Sequence, residues 1–191
     1  MLNIVLFGPP GAGKGTQSEK IIKKYNLVPI ATGDLFRLHL KNNTALGITA
    51  KEYMNRGNLV PDEIVINMVE DKINKSQNAI GFIFDGFPRT INQAKALDKM
   101  LKEKNIPIKQ MISLKVEEKE LIRRIKNRGK TSGRLDDQSE EKINNRIKVY
   151  NDETKPVANF YEKYNKYSEV NGIGEIDEIF DKICSIIDDL K

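Results

Sequence analysis

The chain has 191 residues, 39% of them hydrophobic and 31% charged, which fits one compact unit of about 100–200 residues and excludes a large multidomain machine. Its net charge of +5 comes from 32 Lys+Arg against 27 Asp+Glu scattered along the whole sequence, so it favours an anionic ligand only weakly. No stretch nears the roughly 18 apolar residues of a membrane span, Met1-Leu2-Asn3 lacks the basic start of a signal peptide, and a single cysteine, Cys184, can form no internal disulfide; a cytoplasmic location without membrane partners is expected.

Residues 2–7 form a nearly continuous apolar run that stops at Gly8-Pro9-Pro10-Gly11, the pattern of a buried parallel strand feeding a turn. A helix over 16–24 and a second strand over 27–31 follow, then three short helices over 33–41, 45–56 and 62–75, the third started by Pro61 with Asp62 as its cap. Residues 82–84 read as a buried strand ending at Asp85-Gly86, 92–103 as a helix, 110–116 as a strand and 117–127 as a helix. The segment 128–137 has no periodicity and, apart from Leu135, no apolar residue, so it predicts an exposed loop. From Ser139 a long helix is marked by Ile143, Ile147, Tyr150, Thr154, Val157, Tyr161 and Tyr164, with Pro156 placed to bend it. Residues 168–170 fit an edge strand, and the last helix carries Ile176, Ile179, Phe180, Ile183, Ile187 and Leu190 on one face with Cys184 beside them as a core filler. Strands alternating with helices predict an α/β fold with a parallel sheet covered on both faces.

The segment from Gly8 to Thr16 reads GPPGAGKGT, a near match to the phosphate loop in which Gly15 intervenes between Lys14 and Thr16. Glycines let successive backbone N–H groups converge on an anion at a helix N-terminus, and Lys14 adds a point charge. A glycine-rich turn that binds nothing is the bland alternative; a lysine set between glycines directly after a buried strand argues against it. A phosphate loop leaves two classes open, a phosphoryl-transfer enzyme and a nucleotide-controlled switch or regulatory protein. A GTP switch would carry an Asn/Thr-Lys-x-Asp element, yet Asn74-Lys75-Ser76-Gln77, Thr154-Lys155-Pro156-Val157 and Asn165-Lys166-Tyr167-Ser168 all lack the aspartate.

Arginine is used sparingly, eight residues against 24 lysines, which makes each one a candidate for work that needs a planar, permanently charged fork. His39, with no second histidine in the chain, is expected on the surface. Thr90-Ile91-Asn92-Gln93 is a capping-box pattern, Asp85 ends a strand, and at least one of Asp136 and Asp137 is expected to cap the helix that follows.

Six motifs in order, GPPGAGKGTQ, TGDLFR, GNLVPD, DGFPRTINQA, RGKTSGRLDD and NGIG, cover essentially the whole length. Together they resemble the nucleoside monophosphate kinases, and most closely the short-lid adenylate kinases. The resemblance implies a phosphate-loop sheet of about five strands flanked by helices. It divides the single kinase domain 1–191 into a core (1–31, 76–127 and 139–191), a monophosphate-binding helical insertion (32–75) and a lid (128–138). It implies transfer of a phosphoryl group from ATP to AMP, giving two ADP, with Mg2+ as cofactor, nucleotides as the only partners, no nucleic acid, and a monomer.

The same resemblance assigns ATP to Gly11, Ala12, Gly13, Lys14, Gly15, Thr16, Arg128 and Gly174. It assigns AMP to Thr32, Arg37, Asn58, Leu59, Val60, Gly86, Phe87, Pro88, Arg89, Gln93, Arg134 and Arg146, with Gln93 against the adenine. Catalysis falls to Lys14, Arg89, Arg124, Arg134, Arg146 and Asp85, and Mg2+ is reached through water near Asp85 and Thr16 rather than bound directly. Six arginines thus sit at phosphate positions, while Arg56 and Arg123 are left as surface residues. The chain departs from the family in Ala31, where serine is usual, and in one extra residue, near Ser139, between Arg134 and Arg146. Its lid has no cysteines, so the four-thiolate zinc site of long-lid relatives is not expected. The alternatives are a uridylate-cytidylate kinase and a nucleotide-binding regulatory protein without turnover.

Overall fold

The computed structural model describes residues 1–190, the side chain of Leu135 excepted. Five parallel strands form one sheet in the order β2-β3-β1-β4-β5: β1 (Leu2–Phe7), β2 (Val28–Ala31), β3 (Gly81–Asp85), β4 (Gln110–Lys115) and β5 (Tyr167–Asn171). Each sheet face is buried, and the period of two in β1 divides its residues between two apolar clusters: Val5 and Phe7 go to one side, Ile4 and Leu6 to the other. The one polar residue in that run, Asn3, is 0% exposed and satisfied, donating to the Ile106 carbonyl at 2.7 Å and accepting the Phe82 N–H at 3.0 Å.

The connection from β2 to β3 holds three helices, α2 (Thr32–Lys41), α3 (Ala45–Arg56) and α4 (Asp62–Lys75). Val65, Val69 and Ile73 of α4 join the same apolar cluster as Phe82 and Phe84 of β3, so α4 is bound to the sheet. The remaining helices are α1 (Lys14–Tyr25), α5 (Ile91–Glu103), α6 (Glu118–Gly129), α7 (Glu140–Val149), α8 (Val157–Glu162) and α9 (Ile176–Asp188). Cys184 is buried in the second cluster, between α9 and the sheet, as a core filler.

Several local expectations need correction. The first helix starts at Lys14, two residues earlier than the pattern suggested, because Gly13 at its N-cap takes φ 96°, a left-handed conformation open to glycine. Pro61, not Asp62, stands at the N-cap of α4, and the Asp62 carboxylate turns instead to Thr90 and Gln93. Arg128 and Gly129, expected in the loop, belong to the last turn of α6, and only residues 135–137 beyond them coil, as one 3-10 turn.

Neither Asp136 nor Asp137 caps α7. Ser139 does, its hydroxyl accepting the Lys142 N–H at 3.3 Å, because arginines on both sides claim the two carboxylates. The long helix is not merely bent at Pro156. It widens upstream into a π turn over Tyr150–Thr154, closed by the Lys155 N–H on the Tyr150 carbonyl at 2.8 Å. A proline ring crowds the carbonyl four residues before it and supplies no N–H, and the wider turn absorbs both effects.

The helix ends at Glu162, so Tyr164 falls outside it and is 59% exposed; Ile176, in the first turn of α9, is 52% exposed. His39 is half-buried, its Nδ1 3.0 Å from the Thr44 hydroxyl that caps α3.

Candidate active site

The carboxyl ends of β1 and β3 open on a cavity of about 660 Å³. This is where the strand order turns from β1 outward to β3 on one side and β4 on the other, the switch point at which open parallel sheets leave a crevice for ligands. The turn from Gly8 into α1 forms one wall. Lys14 folds back over that turn, donating to the carbonyls of Gly8 and Pro9 at 2.7 and 2.9 Å. Burial lowers its pKa from 10.5 to about 8, with Asp85 resisting the fall and Arg89, Arg146 and Arg128 adding to it. Asp85 ends β3; burial pushes its carboxyl up, while Lys14 and Arg89 pull it down.

All six of the arginines singled out by the family resemblance, Arg37, Arg89, Arg124, Arg128, Arg134 and Arg146, line this one cavity together with Lys14, whereas Arg56 and Arg123 do not. Arg89 is positioned by the Gly86 turn, its Nε donating to the Gly86 carbonyl at 2.8 Å. Gly86 has φ 72°, and a Cβ there would lie 2.8 Å from the Arg89 guanidinium and 3.2 Å from the Thr32 hydroxyl, so the fork fits only above a glycine. Burial and the charge of Arg146 both lower the Arg89 pKa. An arginine held among other cations and away from water is a ready anion receptor.

Four of the other forks rest on protein groups. Arg37 pairs with Asp34, and Arg124 spans the Glu120 carboxylate at 2.7 Å and the Gly172 carbonyl at 3.0 Å. Arg123 and Arg124 together hold Glu120 well below the usual carboxylate range, at about 2. Arg128 and Arg146 both donate to Asp137, and Arg146 also meets Asp136 at 3.0 Å. Arg134 has its pKa lowered by burial and by Arg37 and Arg128, with Asp137 and Asp136 opposing. Ser139 caps α7, and Arg146, within that helix, reaches the cavity.

On the side of α2 and α3 the cavity is lined by Thr32, Asn58, Leu59, Val60, Gly86, Phe87, Pro88 and Gln93, and on the side of α1 by Gly11, Ala12, Gly13, Gly15, Thr16 and Gly174. The Thr32 hydroxyl donates to the Gly86 carbonyl at 2.7 Å, joining α2 to the β3 turn. Sequence reasoning missed Asp62, which holds Gln93 and Thr90, and the π-turn residues Tyr150 and Thr154, which also line the cavity. The nearby proline was the signal for the second of these; nothing local marked the first.

Fold and cavity define the class: an α/β phosphate-loop protein with an unusual density of arginine around one crevice. The family model of adenylate kinase matches residues 6–166. The adenylate kinase of Flavobacterium psychrophilum is 50% identical over 190 residues, that of Flavobacterium johnsoniae 48% and that of Bacteroides fragilis 49%, each match covering 100% of both chains. The chain belongs to the adenylate kinase family and is a kinase. Among the described residues no helix is long and apolar enough to cross a membrane.

Proposed function

We propose that the arginine-lined cavity is where this chain carries out its family's reaction, reversible transfer of the γ-phosphoryl group of ATP to AMP to give two ADP, in the service of adenine nucleotide balance. An α-phosphate oxygen of AMP attacks the γ-phosphorus, the new O–P bond forms, and the bond from the γ-phosphorus to the bridging oxygen breaks with its electrons left on ADP. The attacking oxygen is already an anion, so no side chain must remove a proton; the catalytic load is alignment and charge neutralisation. The observation that carries this reading is the gathering of six of the eight arginines and the phosphate-loop lysine about one cavity.

In this reading ATP lies along Gly11–Thr16 in sequence and toward Gly174, with Lys14, Arg124 and Arg128 on its phosphates. AMP lies against Thr32, Arg37, residues 58–60, the turn 86–89 and Gln93. Arg134 and Arg146 serve the transferring group between them. Mg2+ fits beside Asp85 and Thr16, which offer hard oxygen donors. Among the described residues no cluster of three or more His, Cys, Asp or Glu could hold a metal, so the ion would take most of its ligands from phosphate and water. When bound it would offset the charge of the nucleotide phosphates. The segment 128–138 and the part of 32–75 that precedes α4, which is itself bound to the sheet, close over the ligands and keep water from the γ-phosphorus. A monomer in the cytoplasm, without nucleic acid partners, completes the proposal.

Incubating the purified protein with Mg2+, ATP and AMP and counting products tests it. Two ADP per AMP consumed is expected; ADP and inorganic phosphate without any loss of AMP would overturn it.

A further inference from the structure

If the acceptor base faces Gln93, as proposed above, the orientation of that side chain decides which base is read. Gln93 is 1% exposed on the cavity wall, and its amide is held at both ends. Its Nε2 donates to Asp62 Oδ1 at 2.8 Å and its Oε1 accepts the Arg89 N–H at 2.7 Å. A carboxylate can only accept and a backbone N–H can only donate. Turned over, the amide would set its oxygen against the carboxylate and its nitrogen against the N–H, losing two hydrogen bonds and creating two repulsions. The carboxylate is steadied in turn: its Oδ2 accepts the Thr90 hydroxyl at 2.8 Å, and that hydroxyl accepts the Gln93 N–H at 3.1 Å.

An amide has two N–H donors and two lone pairs on its oxygen, so each end of Gln93 keeps one position for a ligand. A base in the amide plane must then offer an acceptor to the nitrogen and a donor to the oxygen. Adenine does so, with a ring nitrogen beside its amine. Hypoxanthine replaces the amine with a carbonyl and places a hydrogen on the ring nitrogen, which reverses the pattern. A glutamine free to turn could serve both bases; this one is fixed.

We propose that Asp62 is a specificity-determining residue, a positioning group that locks Gln93 in the orientation that reads a 6-aminopurine and so excludes 6-oxopurine monophosphates. Asp62→Asn keeps the size of the side chain and can donate as well as accept, which removes one of the two constraints on the amide and leaves the Arg89 N–H as the other. The measurement is kcat/KM for AMP and for IMP in the wild type, Asp62→Asn and Gln93→Ala. Both terms come from one preparation, so a partly unfolded variant lowers them alike and leaves their ratio intact. Asp62→Ala, which removes the acceptor altogether, serves as a second variant at the same position. The AMP:IMP ratio is expected to fall about tenfold or more in both Asp62 variants, mainly through KM, and to fall in Gln93→Ala as well. A wild-type ratio in the Asp62 variants beside a reduced one in Gln93→Ala would overturn the role of Asp62. An unchanged ratio in Gln93→Ala would overturn the base reading itself, and the proposal with it.

Discussion

Asp137 grips the fork of Arg128 with both oxygens, accepting Nε at 2.7 Å and Nη2 at 3.0 Å, and one of those oxygens also accepts Nη1 of Arg146 at 2.5 Å. Its side chain is 0% exposed. Burial opposes its charge, yet the hydrogen bond and charge of Arg128, with Arg146 and Arg134 behind it, hold the carboxyl below its usual range. This carboxylate joins the loop to α6 through Arg128 and to α7 through Arg146.

Asp137→Asn leaves two cations facing a neutral amide. Because Arg128 is 32% exposed and Arg146 15%, solvent softens the loss, and a destabilisation of about 2 kcal/mol is expected, less than the 3–5 typical of a fully buried pair. In a chain of this size that is a fall in Tm of roughly 4–8 °C by calorimetry. An unchanged Tm would show that the loop is not anchored through Asp137.

Lys14 and Arg89 face the transferring phosphates in the proposed mechanism, and Arg56 does not. Lys14→Met should lower kcat about 100-fold or more, the scale of losing one charge-stabilising donor, and Arg89→Ala should do likewise. Arg56→Ala should stay near wild type. Steady-state rates of the three variants, with equal losses at Arg56 and Arg89, would contradict the ranking of the arginines.

Lys14, whose pKa burial lowers to about 8, is expected to set an alkaline limb of the reaction. Its charge is present in the free enzyme below about pH 8 and is lost above it, so kcat/KM should fall as pH rises through that value. Bound phosphates favour the ammonium form, so the limb in kcat should lie higher. For stability the sign is opposite: the penalty of burying the ammonium is complete below about pH 8 and fades as pH rises toward 10.5, where the unfolded lysine also loses its proton. Coincident limbs in the two kinetic profiles would show that the free-enzyme limb belongs to another group.

The start of α2 has no side-chain cap. Ala31 is the N-cap of α2, with φ −98° and ψ 94°, and it supplies no side-chain hydrogen bond to the helix start. Ala31→Ser should add about 1 kcal/mol, the usual value of a cap, and raise Tm by roughly 2–4 °C. A melting curve that does not move would mean that the hydroxyl turns elsewhere.

The sequence exposes most of the sheet because its strands are apolar on both faces: β1 and the interior of β3 read directly from 2–7 and 82–84. The phosphate loop was legible from residue type and spacing, since glycine is required there by geometry; the scarcity of arginine only marked candidates, and the six were singled out by the family resemblance. What stayed hidden depends on partners distant in sequence. Asp62 reads as a helix cap until Thr90 and Gln93, 28 and 31 residues away, are placed beside it. Asp136 and Asp137 read as caps until Arg146 folds back on them. The π turn is an answer to Pro156 that no periodicity encodes, because helix and widened helix share the same apolar spacing over so few residues.

The central claim is that this cavity accepts AMP and transfers to it the γ-phosphoryl group of ATP. The most direct test is a coupled assay of the purified protein with Mg2+ and ATP against AMP, CMP, UMP and GMP in parallel. The highest kcat/KM is expected with AMP; a higher value with CMP or UMP would contradict the assignment and favour a uridylate-cytidylate kinase.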